Sequence, residues 1–363
     1  MAALFPPQNR DWALPVEAPL TPRAAERLSR ESAAQGSFAN AGRALEIDWG
    51  VALDGRQVQR WADELGQAVV RRQDREVLKM EEGHHPAAPP NDPQLLVIEL
   101  DGGRVQTREK NPQTQSRWRE DKVCTVTTYQ PGRPYMGRRS DGAEKKPVPL
   151  VTTHVATMRR CEPFGRLCRL EAERRGLRQA EMVLALGDGG NFIDPLLERE
   201  FRSYVRIIDW RHAQEHLWDC AKAIEGVDSP RMPRTAKGLE TLLWKGKVKK
   251  VIAALTEYSR RLGEPENEDG PDHPRRVLRQ NVGYFTNHQD QMNYPEYRRR
   301  GWPIGSGVVE SGVKQFNKRV KGSDQFWNEP TLEPILALRG LWLSQDQRWT
   351  AYWSNRTAYD RAA

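Results

Sequence analysis

Apolar residues recur at helical spacing from Ala24 to about Glu82, change to short continuous or alternating runs between Leu95 and Ile208, and return to helical spacing from Gly226 onward. In the first block the helical pattern breaks at Gly36 and around Gly50 to Gly55. Its last helix, starting near Gly55, puts Val58, Trp61, Leu65 and Val69 on one face and Arg56, Arg60, Arg71 and Arg72 elsewhere. A helix, a glycine-containing turn and a basic helix are the outline of a helix-turn-helix DNA reader, and equally of a plain helical hairpin or dimerisation element. Residues 1–22, with Pro6, Pro7, Pro15, Pro19 and Pro22, predict an unstructured arm, and the proline-rich residues 83–93 a linker.

The middle block predicts strands. Leu95 to Leu100 is an apolar run ending in an Asp101-Gly102-Gly103 turn, Lys122 to Tyr129 alternates in Val and Thr, and Val148 to Met158 makes a third strand. A helix from Glu162 to about Arg175 stops at Gly176. Met182 to Leu186 stops at Gly187-Asp188-Gly189-Gly190, and after a short helix Tyr204 to Ile208 ends at Asp209. Three sequential strands suggest a meander and the later strand-helix-strand units need parallel crossovers, so the fold class is α/β, a mixed sheet flanked by helices. Residues 226–301 read as a helical insertion divided by the acidic loop Glu264 to Asp272. Residues 302–363 return to the sheet domain begun at 94–225, with a helix around Glu310 and an amphipathic tail helix from Glu329 that carries Pro334 in its first turn.

Composition narrows the classes. The 363 residues allow two or three domains, and 37% hydrophobic with 29% charged residues describes a soluble protein. No run of about 18 apolar residues and no signal-like N-terminus is found, which argues against membrane spans and secretion and for the cytosol. Four cysteines, Cys124, Cys161, Cys168 and Cys220, are too few for a disulfide framework and fit no zinc module. The net charge of +8 favours a polyanionic partner, and between Arg298 and Lys321 stand seven Lys/Arg against one acid, Glu310.

That concentration points to chemistry. At 100° per residue Val309, Val313, Phe316 and Val320 share one helix face, and Glu310, Lys314, Asn317 and Lys321 share another. Asp101 and Asp188 each end an apolar strand and precede two glycines, which leave room for phosphate and metal. In an open sheet such strand ends converge on one edge, where ligands bind. With Glu310 they make three carboxylates able to hold two Mg²⁺ about 3.5–4 Å apart for phosphoryl displacement. Asp209 and His212 offer a further ligand, an orienting partner of one, a DNA contact, or simply a helix N-cap. Lys318, Arg319 and Arg298, Arg299 and Arg300 extend the basic surface toward DNA, as do Arg56 and Arg60 near the N-terminus. A rival is His212-Ala213-Gln214-Glu215-His216, which matches the H-x-x-E-H zinc-protease pattern but leaves the aspartates and the basic helix without a role.

The blocks Leu100-Asp101-Gly102-Gly103, Trp118-Arg119-Glu120-Asp121-Lys122-Val123, Leu186-Gly187-Asp188-Gly189, Ile208-Asp209-Trp210-Arg211-His212 through Trp218, and Pro303-Ile304-Gly305-Ser306-Gly307-Val308-Val309-Glu310-Ser311 resemble those of Mutator-related bacterial insertion-sequence transposases of the ISKra type, over roughly residues 95–355. Gly103 stands where that pattern more usually has Thr. The resemblance implies an RNase H-like catalytic domain with a DDE triad on Asp101, Asp188 and Glu310, separated by 87 and 122 residues, and a helical insertion before the Glu. It implies Mg²⁺, with Mn²⁺ as substitute, DNA element ends and target DNA as partners, a homo-oligomer on DNA, and a bacterial cytoplasmic, nucleoid-associated place. The alternative is a catalytically inactive, domesticated DNA-binding protein.

Overall fold

The computed structural model describes residues 20–132, 146–322 and 325–354; the proposed arm lies almost wholly outside them. Three helices come first, α1 (Pro22–Ala34), α2 (Phe38–Trp49) and α3 (Gly55–Glu81). Each starts where the sequence supplies an N-cap oxygen: Thr21, Ser37, and Asp54 in a reciprocal box with Gln57. Gly50, at φ +67°, ends α2 in the left-handed conformation that glycine adopts without strain.

Five strands follow, β1 (Leu95–Gln106), β2 (Trp118–Gln130), β3 (Val148–Thr157), β4 (Met182–Gly187) and β5 (Val205–Ile208), with α4 (Cys161–Arg174) before β4, α5 (Ile193–Glu200) before β5 and α6 (Trp210–Glu225) after it. The sheet order is β3-β2-β1-β4-β5. β1–β2 and β2–β3 pair antiparallel, β1–β4 and β4–β5 parallel. This is the meander plus parallel crossovers that the hydrophobic pattern predicts, arranged as an RNase H-like mixed sheet. Residues 226–301, which the sequence reads as an insertion, form α7 (Met232–Trp244), α8 (Val248–Leu262), α9 (Pro274–Asn287) and α10 (Tyr294–Arg299), and α11 (Gly307–Val320), α12 (Glu329–Leu343) and α13 (Arg348–Ser354) follow among the described residues.

Alternation along β1 sorts the core. Leu96, Ile98 and Leu100 pack with α4 and α5, while Leu95 and Val97 pack with α6 and the insertion. Val105 and Val123 belong to a third cluster that joins α1, α2 and α3 to α11, α12 and α13. The N-terminal helices therefore share one core with the end of the sheet domain. Gly66 on α3 makes that closeness feasible: a Cβ there would stand 2.5 Å from the Pro334 carbonyl oxygen.

Three expectations are corrected. Asp101-Gly102-Gly103 is no turn, because β1 runs on to Gln106 and pairs Gly102 with Lys122 and Gly103 with Asp121. The tail helix is not amphipathic; α12 is buried continuously from Pro334 to Gly340, since α3 covers one side and β3 the other. Pro334 is the sixth residue of α12, inside the helix and beyond its first turn.

Candidate active site

The parallel register of β1 on β4 ends at the pair Glu99–Leu186. Two residues further along come Asp101, still within β1, and Asp188, just past the end of β4, so the pairing carries both aspartates to the same end of the two strands. Glu310 arrives from the first turn of α11. Its approach is fixed by Asp209, which is fully buried and caps α6: one carboxylate oxygen accepts the His212 N–H at 2.8 Å, and the other accepts the Ser306 N–H. The Trp210 N–H to Ile304 carbonyl bond, 2.8 Å, closes the same junction from the backbone. Asp209, left open by the sequence among ligand, orienting partner, DNA contact and cap, is thus the cap of one helix and the anchor of the segment that carries Glu310. On its buried side Gly312 lets α11 lie close to the sheet: a Cβ there would stand 3.1 Å from the Thr125 methyl and 3.3 Å from the His154 ring.

Asp101 feels the other two acids. Burial raises the Asp101 carboxyl above the usual carboxylate range, the Gly102 N–H opposes this, Asp188 and Glu310 raise it further, and His212 counteracts them. Asp101 accepts the Gly102 N–H at 2.7 Å, Asp188 accepts the Gly190 N–H at 2.8 Å, and Glu310 accepts Arg211 Nη1 at 3.0 Å with Lys314 Nζ at 3.9 Å. Among the described residues no three His, Cys, Asp or Glu side chains are gathered closely enough to hold a metal ion. The donor chemistry is that of a hard divalent cation, since all three are carboxylates partnered by a backbone N–H or an exposed cation.

Sequence reasoning missed several neighbours. Glu99 is completely buried on the same strand face as Asp101, accepts Thr125 Oγ1 at 3.0 Å, and has its other oxygen without a partner. Burial pushes its pKa up to about 8, Thr125 opposing, with Asp209 and Glu310 adding to the rise. A lone charge at an inward position of an apolar run was the available signal. Asp121, fully buried with both oxygens unpartnered, lies over Gly103, where a Cβ would meet it at 2.5 Å; Glu120 lies similarly over Gly102. These two glycines make room for acids of the neighbouring strand instead of a phosphate. Gly189, by contrast, does turn, at φ +87°, beneath Tyr284 and His288 of the insertion, and Tyr284 Oη donates to the Asp188 carbonyl at 3.1 Å.

The basic residues divide. Lys314, Lys318 and Lys321 are exposed along α11, Asn317 is half-buried, and Arg56 and Arg60 are exposed at the start of α3. Arg299 and Arg300 are exposed but paired with Glu296, and Arg298 stacks 3.7 Å from the Trp244 ring. Arg319 corrects the expectation of a DNA contact: it is 1% exposed, donates to the Ser32 carbonyl at 2.6 Å, and lies over Phe38 and Trp327. Three residues after Phe316, it falls on the buried side of the helix. The zinc-protease pattern is also differently employed. His216 is turned to the insertion, its Nδ1 2.7 Å from Asn281 Oδ1 and its ring stacked on Tyr284, while His212 stays beside Glu215.

No protein-family model and no curated protein matches the chain. Among solved structures it is similar to the Drosophila P element transposase strand transfer complex, at 10% identity over 91% of this chain and 93% of that one, with a TM-score of 0.38. A likeness that distant carries no functional argument, which falls to the side chains. No helix of the described residues is long and apolar enough to cross a membrane.

Proposed function

We propose that this chain is a DDE transposase of the Mutator-related ISKra type, cutting and joining DNA at the ends of an insertion sequence. What supports the reading is that Asp101 and Asp188 each follow the Glu99–Leu186 pair of β1 and β4 by two residues, and that Glu310, far from both in sequence, is brought near enough by α11 for its charge, like that of Asp188, to raise the Asp101 carboxyl. Asp101, Asp188 and Glu310 would hold Mg²⁺, with Mn²⁺ able to substitute. When bound, such ions activate a water or a 3′-hydroxyl and stabilise the leaving oxygen of a phosphodiester.

The remaining work falls to the chain. Glu310 leaves Arg211, whose Nη1 then turns to a DNA phosphate while its Nε stays beside Glu215. Asp209 holds Ser306, and so the start of α11, against β5 throughout. Tyr284 holds the Asp188 backbone from the insertion side. Lys314 and Lys318 face the phosphate backbone as it leaves the acids, and Arg56 and Arg60 serve recognition of the element ends. The active form is a dimer or higher homo-oligomer on DNA in the bacterial cytoplasm. A second reading, a catalytically inactive DNA-binding protein, draws on the Arg211–Glu310 pair, which neutralises the third acid as it stands.

A nicking and strand-transfer assay on element ends with Mg²⁺ decides. Asp188→Asn is expected to lower the rate about 10³-fold or more while leaving duplex binding intact. Equal cutting by the variant sinks the triad, and DNA binding without metal-dependent cutting by the wild type selects the inactive protein.

A further inference from the structure

Eight large hydrophobic side chains stand exposed among the described residues, and only two are aromatic: Trp118 at 42% and Phe326 at 41%. Both are borne by segments that pair with the end of β1, beyond the site. Trp118 opens β2 opposite Gln106, the last residue of β1. Phe326 precedes Trp327, whose N–H donates to the Gln106 carbonyl and whose carbonyl accepts the Arg108 N–H, both at 2.9 Å. The segment is stitched to the end of β1 as a further rung, so neither ring rides on a loose loop.

Each ring has a cation over it. Lys321 Nζ is 5.3 Å from the Trp118 ring, and the Arg117 guanidinium is 5.7 Å from that of Phe326. Arg108 and Phe326 also line a cleft of about 210 Å³ with Phe38, Trp327 and Asn328. Lys321 ends the exposed row Lys314, Lys318, Lys321 that starts one turn after Glu310. Glu310 and a lysine row therefore follow one another along α11, and the row ends with Lys321 over the Trp118 ring.

A ring face beside a cation suits a flat base whose phosphate lies next to it. A duplex keeps its base faces inside its own stack, whereas an unpaired strand presents them. We propose that Trp118 and Phe326 form a stacking platform for unpaired bases of a DNA strand whose phosphates run along Lys314, Lys318 and Lys321 away from Glu310. This rests on the reading that the acids act on DNA, and it adds that the protein grips a strand separated from its complement close to the reacting phosphate. Lys321 and Arg117 leave the rings for phosphates as the bases arrive.

The test is the affinity of the full chain, without added metal, for a fluorescein-labelled oligonucleotide of about twenty nucleotides and for the same sequence as duplex, read by anisotropy. Trp118→Ala and Phe326→Ala are each expected to weaken single-strand binding about tenfold and together about a hundredfold, with duplex binding changed less than about twofold. Trp118→Leu keeps apolar bulk without the ring and is expected to lose nearly as much as alanine, which separates stacking from a folding defect. A double variant that binds the single strand as wild type does, a loss shared equally by strand and duplex in a folded variant, or wild-type strand binding by Trp118→Leu overturns the platform. Asp188→Asn is expected to bind the strand normally. Failure of the platform with cutting intact, or of cutting with the platform intact, thus tells the two readings apart.

Discussion

Glu171 and Asp346 each meet a guanidinium, whereas Glu99, Asp101 and Asp121 have none among the described residues and lie where neighbouring acids raise them. Glu171 is 1% exposed; Arg348 Nη1 reaches it at 2.7 Å and Arg174 Nη1 at 3.0 Å, while Arg348 Nε also binds Asp346 at 2.7 Å. Burial alone would raise the Glu171 carboxyl, but Arg348 and Arg174 hold it well below the usual carboxylate range. At the site burial wins instead: Glu99 is pushed to about 8 and Asp121 to about 6, the charge of Lys321 opposing the rise at Asp121 without cancelling it. A buried ion network with complementary charges fastens α13 to α4. A buried cluster of like charges does the opposite for stability, and that is the arrangement expected where a protein reserves its acids for a cation it does not itself supply.

After the loss of cutting expected for Asp188→Asn, the largest effect is on the satisfied cluster. Arg348→Ala leaves Glu171 buried and short of its main partner, and chemical denaturation is expected to show a loss of about 3–5 kcal/mol. Arg348→Met with Glu171→Gln should recover much of it. No loss in the single variant would erase the contrast between the clusters.

Asp209→Ala removes the acceptor of the Ser306 and His212 N–H groups and is expected to cost about 1–3 kcal/mol of stability. Its effect on cutting should exceed its effect on DNA affinity, because the segment ahead of Glu310 loses its anchor. Cutting at the wild-type rate would show that α11 is placed without it.

The acid side of the comparison is sharpened by pH. Glu99 binds its proton more tightly when folded than when unfolded, since its pKa rises from 4.5 to about 8. Its contribution is therefore fully present below about pH 4.5 and is lost as pH rises through 8, a difference of order a few kcal/mol at most. Glu99→Gln should flatten this fall, so that the variant gains on the wild type in thermal melts between pH 5 and pH 8. A wild-type-minus-variant difference independent of pH would mean that Glu99 is not held protonated.

The smallest effect is in salt dependence. Lys314→Ala and Lys318→Ala should each lower the slope of log affinity against log salt by about one, uniformly across DNA sequences. Arg319→Ala should leave the slope alone and lower stability, since its guanidinium is tied to the Ser32 carbonyl.

Much of this was legible in the sequence. The glycines after β4, the apolar alternation of the strands and the period of α11 were readable because each rests on short-range physics: the reach of a turn, the two-residue repeat of a strand, the 100° step of a helix. Glu99 and Asp121 escaped because their burial depends on what covers them, Thr125 and α11 in one case and a bare Gly103 in the other. Arg319 misled because a guanidinium reads as surface until an aromatic pair and a carbonyl are seen to enclose it.

By itself, then, the sequence determined the elements, their order, the two parallel crossovers that set Asp101 beside Asp188, and a third acid heading a basic helix. Tertiary structure alone decided that β1 continues past Asp101, that the N-terminal helices share a core with α12, and that Asp209 ties Ser306 across 97 residues. The reason is one of range. Local preferences and periodicity are written within a few residues, whereas which buried acid meets an arginine and which meets another acid is settled only when distant segments close over both.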